Sequence, residues 1–244
     1  MSKVAIVAAL QREVRSLVSG CHTEPVKYEG KSFRLYTSEK AVVVCGGMGA
    51  EAARRATQAL LSRTKPSILV SAGFARALWS DLRVGDIVIP AEVYHVARKQ
   101  SYPTLFGEGQ LWTSPMVVES PEVPAGFKLG QCKGVDMEAA AVAEVATGVG
   151  IPFVAVKAVS DEALFRMPPM NEFIDRDGGF RTGAFLLHVL FRPRTWRSVV
   201  ALAHNSSQAA SKLCGALRSL IEHQTVQGYD LNVELAKVSE GATR

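Results

Sequence analysis

The sequence predicts an α/β protein: a three-layer α/β/α sandwich around a central mixed, mainly parallel β-sheet. Three observations carry that expectation. Short β-branched runs alternate with Ala-rich helical patterns through most of the 244 residues, the rhythm of a parallel sheet covered by helices on both faces. The runs at 4–10 and 151–156 are apolar throughout, as strands buried on both sides are. An acid also stands at three strand-to-helix junctions: Glu13 after residues 4–10, Glu138 opening an Ala-rich stretch, and Asp161 beyond 151–156. A carboxylate beside such apolar elements costs free energy unless something pairs or uses it. In open α/β sheets one edge, beyond the strand ends, is where ligands bind, so the three acids predict one site there.

The elements follow in order. Residues 4–10 read as a buried strand and 13–19 as the start of a helix. Residues 32–37 and 41–45 read as a hairpin around Ser38, Glu39 and Lys40. Gly46-Gly47-Met48-Gly49 then opens a helix over 50–62, with alanines at 52, 53, 56 and 59, which Pro66 ends. Residues 67–71 and 84–90 are further strands, with 92–95 continuing the second. The stretch 99–133 carries prolines at 103, 115, 121 and 124 and predicts loops around one strand near 110–118. Residues 163–179 are rich in Met, Pro and Asp and read as a surface loop. Two helical segments follow, 180–190 and 195–221, divided by Arg192-Pro193-Arg194. In the second, Trp196, Val199, Val200, Ala203, Ala210, Leu213, Leu217, Leu220 and Ile221 recur at helical spacing. Residues 1–223 read as one domain, its helical part at 180–223, and 224–244 as a loose polar tail.

Composition narrows the class. Hydrophobic residues make up 48% and charged residues 21%, close to globular averages, which argues against wholesale disorder. A net charge of +5 favours an anionic ligand or surface, and the 7% aromatic content carries no interleaved aromatic and basic motif for nucleic acid. Cys21, Cys45, Cys132 and Cys214 are scattered, with no CxxC pair and no zinc spacing, so they read as reduced packing thiols of a cytoplasmic protein. The start carries an apolar run of only seven residues that leads into Arg12 and Glu13, too short for a leader, and no segment reaches a membrane-spanning length. No metal set and no Ser or Cys nucleophile paired with His stands out. His95 and His188 read as packing or surface histidines.

Five segments in order resemble the purine nucleoside phosphorylase and nucleosidase superfamily, and within it the methylthioadenosine/S-adenosylhomocysteine nucleosidases. They are residues 4–13, 46–49, 71–73 through 82–88 (Leu-Arg-Val-Gly-Asp-Ile-Val), 135–139 (Val-Asp-Met-Glu-Ala) and 159–161 (Val-Ser-Asp). The resemblance implies cleavage of the N-ribosidic bond of a purine nucleoside, without a cofactor, by a homo-oligomer, most often a homodimer. It assigns Asp161 as the acid that protonates the base, with Ser160 beside it. Glu138 would hold the ribose 2′-hydroxyl, Met137 would pack on the ribose, and Glu13 would activate the attacking water. Acids on opposite sides of a glycosidic bond follow the logic of inverting cleavage. Met48, Gly73, Asp136 and Val118 are the further substrate-binding candidates, the glycine allowing close backbone approach.

Departures from the pattern bear on whether water or phosphate attacks. Glu13 favours water. Arg12 falls where bacterial phosphorylases carry a phosphate-binding arginine, and Arg76 stands where close relatives have glycine, as a second phosphate contact or a surface residue. Lys157 replaces a family arginine, and Val117 or Val118 stands where the nucleosidases place an aromatic. The basic, apolar segment 180–221 suggests either a helix packed on the domain or contact with an anionic membrane surface. That layout resembles phosphorylases associated with hopanoid biosynthesis, which implies phosphorolysis of a lipid-linked adenosine as the alternative, with phosphate as co-substrate. A protein that kept the fold and lost the activity would be expected to have lost an acid, and all three remain. A dinucleotide-dependent oxidoreductase would need G-x-G-x-x-G, a spacing that residues 46–49 lack.

Overall fold

Period-two alternation along the strands explains how one sheet serves two layers of helices. In the computed structural model, which describes residues 3–79, 81–118, 132–165, 170–175 and 178–241, β1 (Val4–Ala8) points Ala5 and Val7 to one face and Val4, Ile6 and Ala8 to the other. Successive side chains of a strand face opposite sides. Both sets are buried, which is why the run is apolar at every position.

Among the described residues eleven strands form the sheet. Its centre is parallel: β1 pairs with β4 (Ala41–Cys45) and β5 (Ile68–Ala77), and β5 pairs with β11 (Phe153–Asp161). One flank is an antiparallel meander of β2 (His22–Tyr28), β3 (Lys31–Thr37) and β4. β2 lies outside the expected hairpin, because its mostly exposed, polar residues carry no buried pattern. The short β6 (Ile87–Val88) pairs antiparallel with β11. On the other flank β10 (Cys132–Asp136) runs antiparallel to β5, then joins β9 (Gln110–Thr113), β7 (Glu92–His95) and β8 (Gln100–Pro103). β7 is a strand of its own and does not continue the one before it. β8 ends in Pro103 at the sheet edge, where a missing N–H costs least.

Among the described residues two helices cover one face. α2 (Ala50–Leu61) and α3 (Ala139–Val149) present alanines to the sheet: Ala53, Ala56 and Ala59 from α2, and Ala139, Ala140, Ala143 and Ala146 from α3. Small side chains let these helices lie close to the strands. A Cβ at Gly46 would stand 2.7 Å from that of Ala56 and 2.8 Å from the carbonyl oxygen of Ala52, so that turn needs a glycine for space. The other face is covered by the short α1 (Arg15–Val18) and by the long α5 (Pro193–Glu222), whose Ala209, Leu213, Leu217 and Leu220 are fully buried against β1, β5 and β11. Pro193 at the start of α5 has no N–H to leave unpaired there, which is why the helical pattern breaks at that point. α4 (Thr182–Leu190) precedes it.

Two expectations are corrected. The segment after residue 223 is not a loose tail: β12 (Thr225–Val226) and β13 (Tyr229–Asp230) form a hairpin that leads into α6 (Leu231–Gly241). Val226 and Leu231 are buried in the same core as α5, and Tyr229 stacks on Phe106 at 4.8 Å between ring centroids. Those few apolar anchors were hidden in a polar composition. The stretch read as a surface loop also has an inside, since Met170 and Phe173 are buried with Phe185 and Val189 of α4. The prolines at 121 and 124 lie outside the described residues. No helix among the described residues is long and apolar enough to cross a membrane.

Candidate active site

Four strands end at one place. β1 leads into a turn of 3-10 helix, Gln11–Glu13, that carries Glu13. β4 leads into Gly46–Gly49, β10 into Met137 and Glu138, and β11 ends on Asp161. A cavity of about 120 Å³, open on one side, lies between them. Glu13, Glu138, Asp161, Ser160, Asp136, Met137, Met48, Val118, Arg12 and Arg76 all line it. Gly73 lies behind that wall: a Cβ there would stand 3.2 Å from Oε2 of Glu13 and 3.6 Å from Nζ of Lys157. Its missing side chain leaves room for both.

The three acids sit in different company. Glu13 is only 4% exposed, and its Oε2 has no hydrogen-bond partner among the described residues. Burial pushes its pKa up from 4.5 to about 7, helped by the negative charge of Glu138 and opposed by Lys157. Glu138 opens α3 while its Oε1 accepts the Gly49 N–H at the start of α2 (2.7 Å) and its Oε2 accepts the Met137 N–H (3.3 Å). That carboxylate therefore caps one helix from the first turn of another. Its pKa is also pushed up to about 7, by burial first and then by Asp136. Asp161 accepts the Ser160 hydroxyl on Oδ2 at 2.6 Å, and its buried Oδ1 has no partner among the described residues. Burial raises its pKa as well, against the opposing effects of Ser160 and Arg76.

Asp136 is an acid of another kind. Its side chain is fully buried, and both oxygens are taken: Oδ1 by the Thr113 hydroxyl (2.6 Å), Oδ2 by the Ala139 N–H (2.8 Å) and by Nζ of Lys157 (2.8 Å). The Thr113 oxygen in turn accepts the Ala140 N–H at 3.0 Å. Asp136 thus fixes the start of α3, and with it Glu138, with both of its oxygens already engaged by protein donors. Lys157, fully buried in β11, also donates to Oγ of Ser71 at 3.0 Å. Its significance is visible in the sequence only as a charge inside an apolar run. Thr113 and Ser71 carry no such signal, because their partners are set by strand register.

Arg76 is not a surface residue. It is 6% exposed and stands in register with Asp161 across β5 and β11, just past a bulge. Its Nη2 donates to the carbonyls of Ala163 (3.1 Å) and Phe165 (2.6 Å), while Nε and Nη1 are buried without partners among the described residues. Arg12, by contrast, is exposed at the cavity rim. Lining residues outside the sequence candidates include Phe74, Met116, Met170, and Leu202 with Ser206 of α5. Phe74 places an aromatic residue in a wall where Val117 and Val118 are aliphatic. Among the described residues no group of His, Cys, Asp or Glu is arranged to hold a metal ion.

The sequence profile of the phosphorylase superfamily matches residues 3–131 and 103–183. The chain belongs to that superfamily. A methylthioadenosine/S-adenosylhomocysteine nucleosidase of Actinobacillus succinogenes is 31% identical, over 65% of this chain and 85% of the relative. One of Geobacillus kaustophilus is 30% identical, over 66% and 85%. Two solved structures of Helicobacter pylori share the fold at 16% identity, each covering 91% of this chain and 98% of its own. They are a methylthioadenosine/S-adenosylhomocysteine nucleosidase, with a TM-score of 0.67, and a futalosine hydrolase, with 0.66. The superfamily fold accounts for the shared strand ends. The buried lysine and arginine are features read from this chain itself.

Two outcomes test the electrostatics. Lys157→Met leaves the Asp136 carboxylate buried without its counter-ion, and urea unfolding should show a loss of about 3–5 kcal/mol; an unchanged midpoint would mean that the pair is not formed. For Glu13, the folded pKa of about 7 exceeds the ordinary 4.5, so the folded state binds the extra proton in that window and stability falls as pH rises through it. Glu13→Gln should therefore melt like the parent at about pH 4 and higher than the parent at about pH 8. Equal melting at both values would show that the carboxyl is not desolvated.

Proposed function

We propose that this protein hydrolyses the N-ribosidic bond of an adenine nucleoside and releases the free base. The observation that carries this reading is Glu13, whose Oε2 is buried in the cavity wall, unpartnered among the described residues, with its carboxyl pushed to about 7. A carboxylate titrating near neutrality, with a free oxygen, is suited to take a proton from water. Names of relatives in the superfamily, nucleosidases of methylthioadenosine and S-adenosylhomocysteine, point the same way.

The steps follow from the chemistry of the bond. Stretching the ribose–purine bond leaves positive charge on the sugar and negative charge on the departing base. Asp161, whose protonated form burial favours, donates a proton to N7 of the base, so that the base leaves neutral. Glu138, ionised, accepts the ribose 2′-hydroxyl and steadies the cationic sugar. Glu13 takes one proton from the water whose oxygen bonds the anomeric carbon. The products are adenine and a reducing sugar, and a further proton exchange with solvent resets the two acids. Met137 and Met48 supply apolar surface for the ribose, and Phe74 a ring face for the base.

Phosphorolysis is the second reading, favoured by Arg12 at the cavity rim. Two features weigh against it. Arg76 stands beside Asp161 and is bound to the carbonyls of Ala163 and Phe165. A phosphate dianion near Glu13 and Glu138 would also meet like charge in a poorly solvated space.

Product analysis by mass spectrometry, with adenosine and methylthioadenosine as substrates, separates the two. Adenine and free sugar should form at the same rate with and without inorganic phosphate; ribose 1-phosphate formed only when phosphate is present would overturn hydrolysis. Asp161→Asn should lower turnover by a factor on the order of 10²–10⁴ without shifting the melting temperature. Turnover equal to that of the parent would remove Asp161 from the role of acid.

A further inference from the structure

The α4–α5 corner carries a feature that the cavity does not use. α4 turns Phe185 and Val189 inward onto Met170 and Phe173, with the rings of Phe173 and Phe185 edge to face at 5.4 Å. Its remaining apolar residues face solvent: Leu186, Leu187, Leu190 and, just past its end, Phe191, which is 76% exposed. The first turns of α5 extend the same face. Trp196 donates its indole N–H to the carbonyl of Val189 at 2.8 Å, which seats the ring against the end of α4, and Val200, 69% exposed, stands one turn further on. Isolated exposed apolar residues are ordinary in a folded protein; six on one two-helix corner form a patch that calls for a partner.

The charge around the patch identifies that partner. Residues 178–221 contain no Asp or Glu, although the chain carries 23 of them, and Arg181, Arg192, Arg194 and Arg197 fall within or beside the segment that forms the patch. Arg192 and Arg197 are exposed at the edge of the patch and make no ion pair with any described residue. The match to the superfamily profile ends at residue 183, so the patch lies on chain that the profile does not describe. An apolar face on helices that carry cations and no acids of their own is the signature of a segment lying in a membrane interface, where apolar side chains enter the acyl boundary and cations meet anionic headgroups. Leu202 and Ser206, further along α5, line the cavity, so a membrane against this corner would lie next to its mouth.

We propose that the outer face of α4 and the first turns of α5 docks on an anionic phospholipid bilayer. The proposal stands independently of which bond the cavity cleaves. It is tested by co-sedimentation of the full chain with phosphatidylcholine vesicles, with and without phosphatidylglycerol, at low and high salt. The chain should pellet with the anionic vesicles, far less with the neutral ones, and less again at high salt. Leu187→Glu with Phe191→Glu should abolish pelleting. Arg192→Glu with Arg197→Glu should lower the bound fraction by roughly tenfold or more while leaving the apolar face intact. Melting temperatures equal to the parent's would show that both variants are folded. Failure of the parent to pellet with anionic vesicles, or equal pelleting by both variants, overturns the proposal. So does a vesicle-free dimer in sedimentation equilibrium that Leu187→Glu with Phe191→Glu dissociates, since the face would then belong to a second copy of the chain.

Discussion

One buried cation sets the terms for this site. Lys157 is fully enclosed in β11 and bonded to Asp136 and Ser71, and its charge also acts on Glu13 and Glu138. A single ammonium cannot neutralise three carboxylates in a space where water is scarce. Asp136 takes the direct contact and is fully occupied. Glu13 and Glu138 feel Lys157 only at a distance, and burial outweighs it, so both carboxyls are held near neutrality. In the proposed reaction this leaves Glu13 suited to take a proton near ordinary pH, while Asp161, raised by its own burial, supplies the acid.

The scaffold makes that arrangement unavoidable once the strands pair. β1, β5 and β11 are parallel neighbours, so their ends lie side by side. Gly73, in β5 between the other two, leaves the space in which Glu13 and Lys157 approach. Asp136 anchors the start of α3, and Glu138 reaches from there to the N-terminal end of α2. The helices over one face of the sheet are thus tied together through the cavity floor. The bulge at the end of β11 brings Asp161 opposite Arg76, giving the third acid its own cationic neighbour.

Much of this was legible in the chain. The apolar strands, the glycine turn at 46–49 and the acids after them carry strong local signals, because a carboxylate next to a buried run has few reasons to be there. The charges inside strands were harder to read. Lys157 looks like a plain exchange of one cation for another, and only the register between β11 and β5 makes it the counter-ion of Asp136. Arg76 read as well as a surface residue as a ligand contact, since nothing local says that strand pairing buries it beside Asp161. The hairpin and helix after residue 223 were missed because Val226 and Leu231 bury in a core assembled from distant segments, while their neighbours are polar. Leu202 and Ser206 reach the cavity through the packing of α5 on the sheet, which helical spacing alone does not orient.

The enclosed carboxyls are open to direct observation by carbon NMR, with the side-chain carboxyl carbons of glutamate labelled and Glu13→Gln and Glu138→Gln used to assign the signals. If Lys157 and burial govern the site as described, the signals of Glu13 and Glu138 should titrate with midpoints near 7, well above the exposed glutamates. Midpoints near 4.5 for both would mean that water reaches these groups freely, and the reading of a desolvated acid–base pocket would not stand.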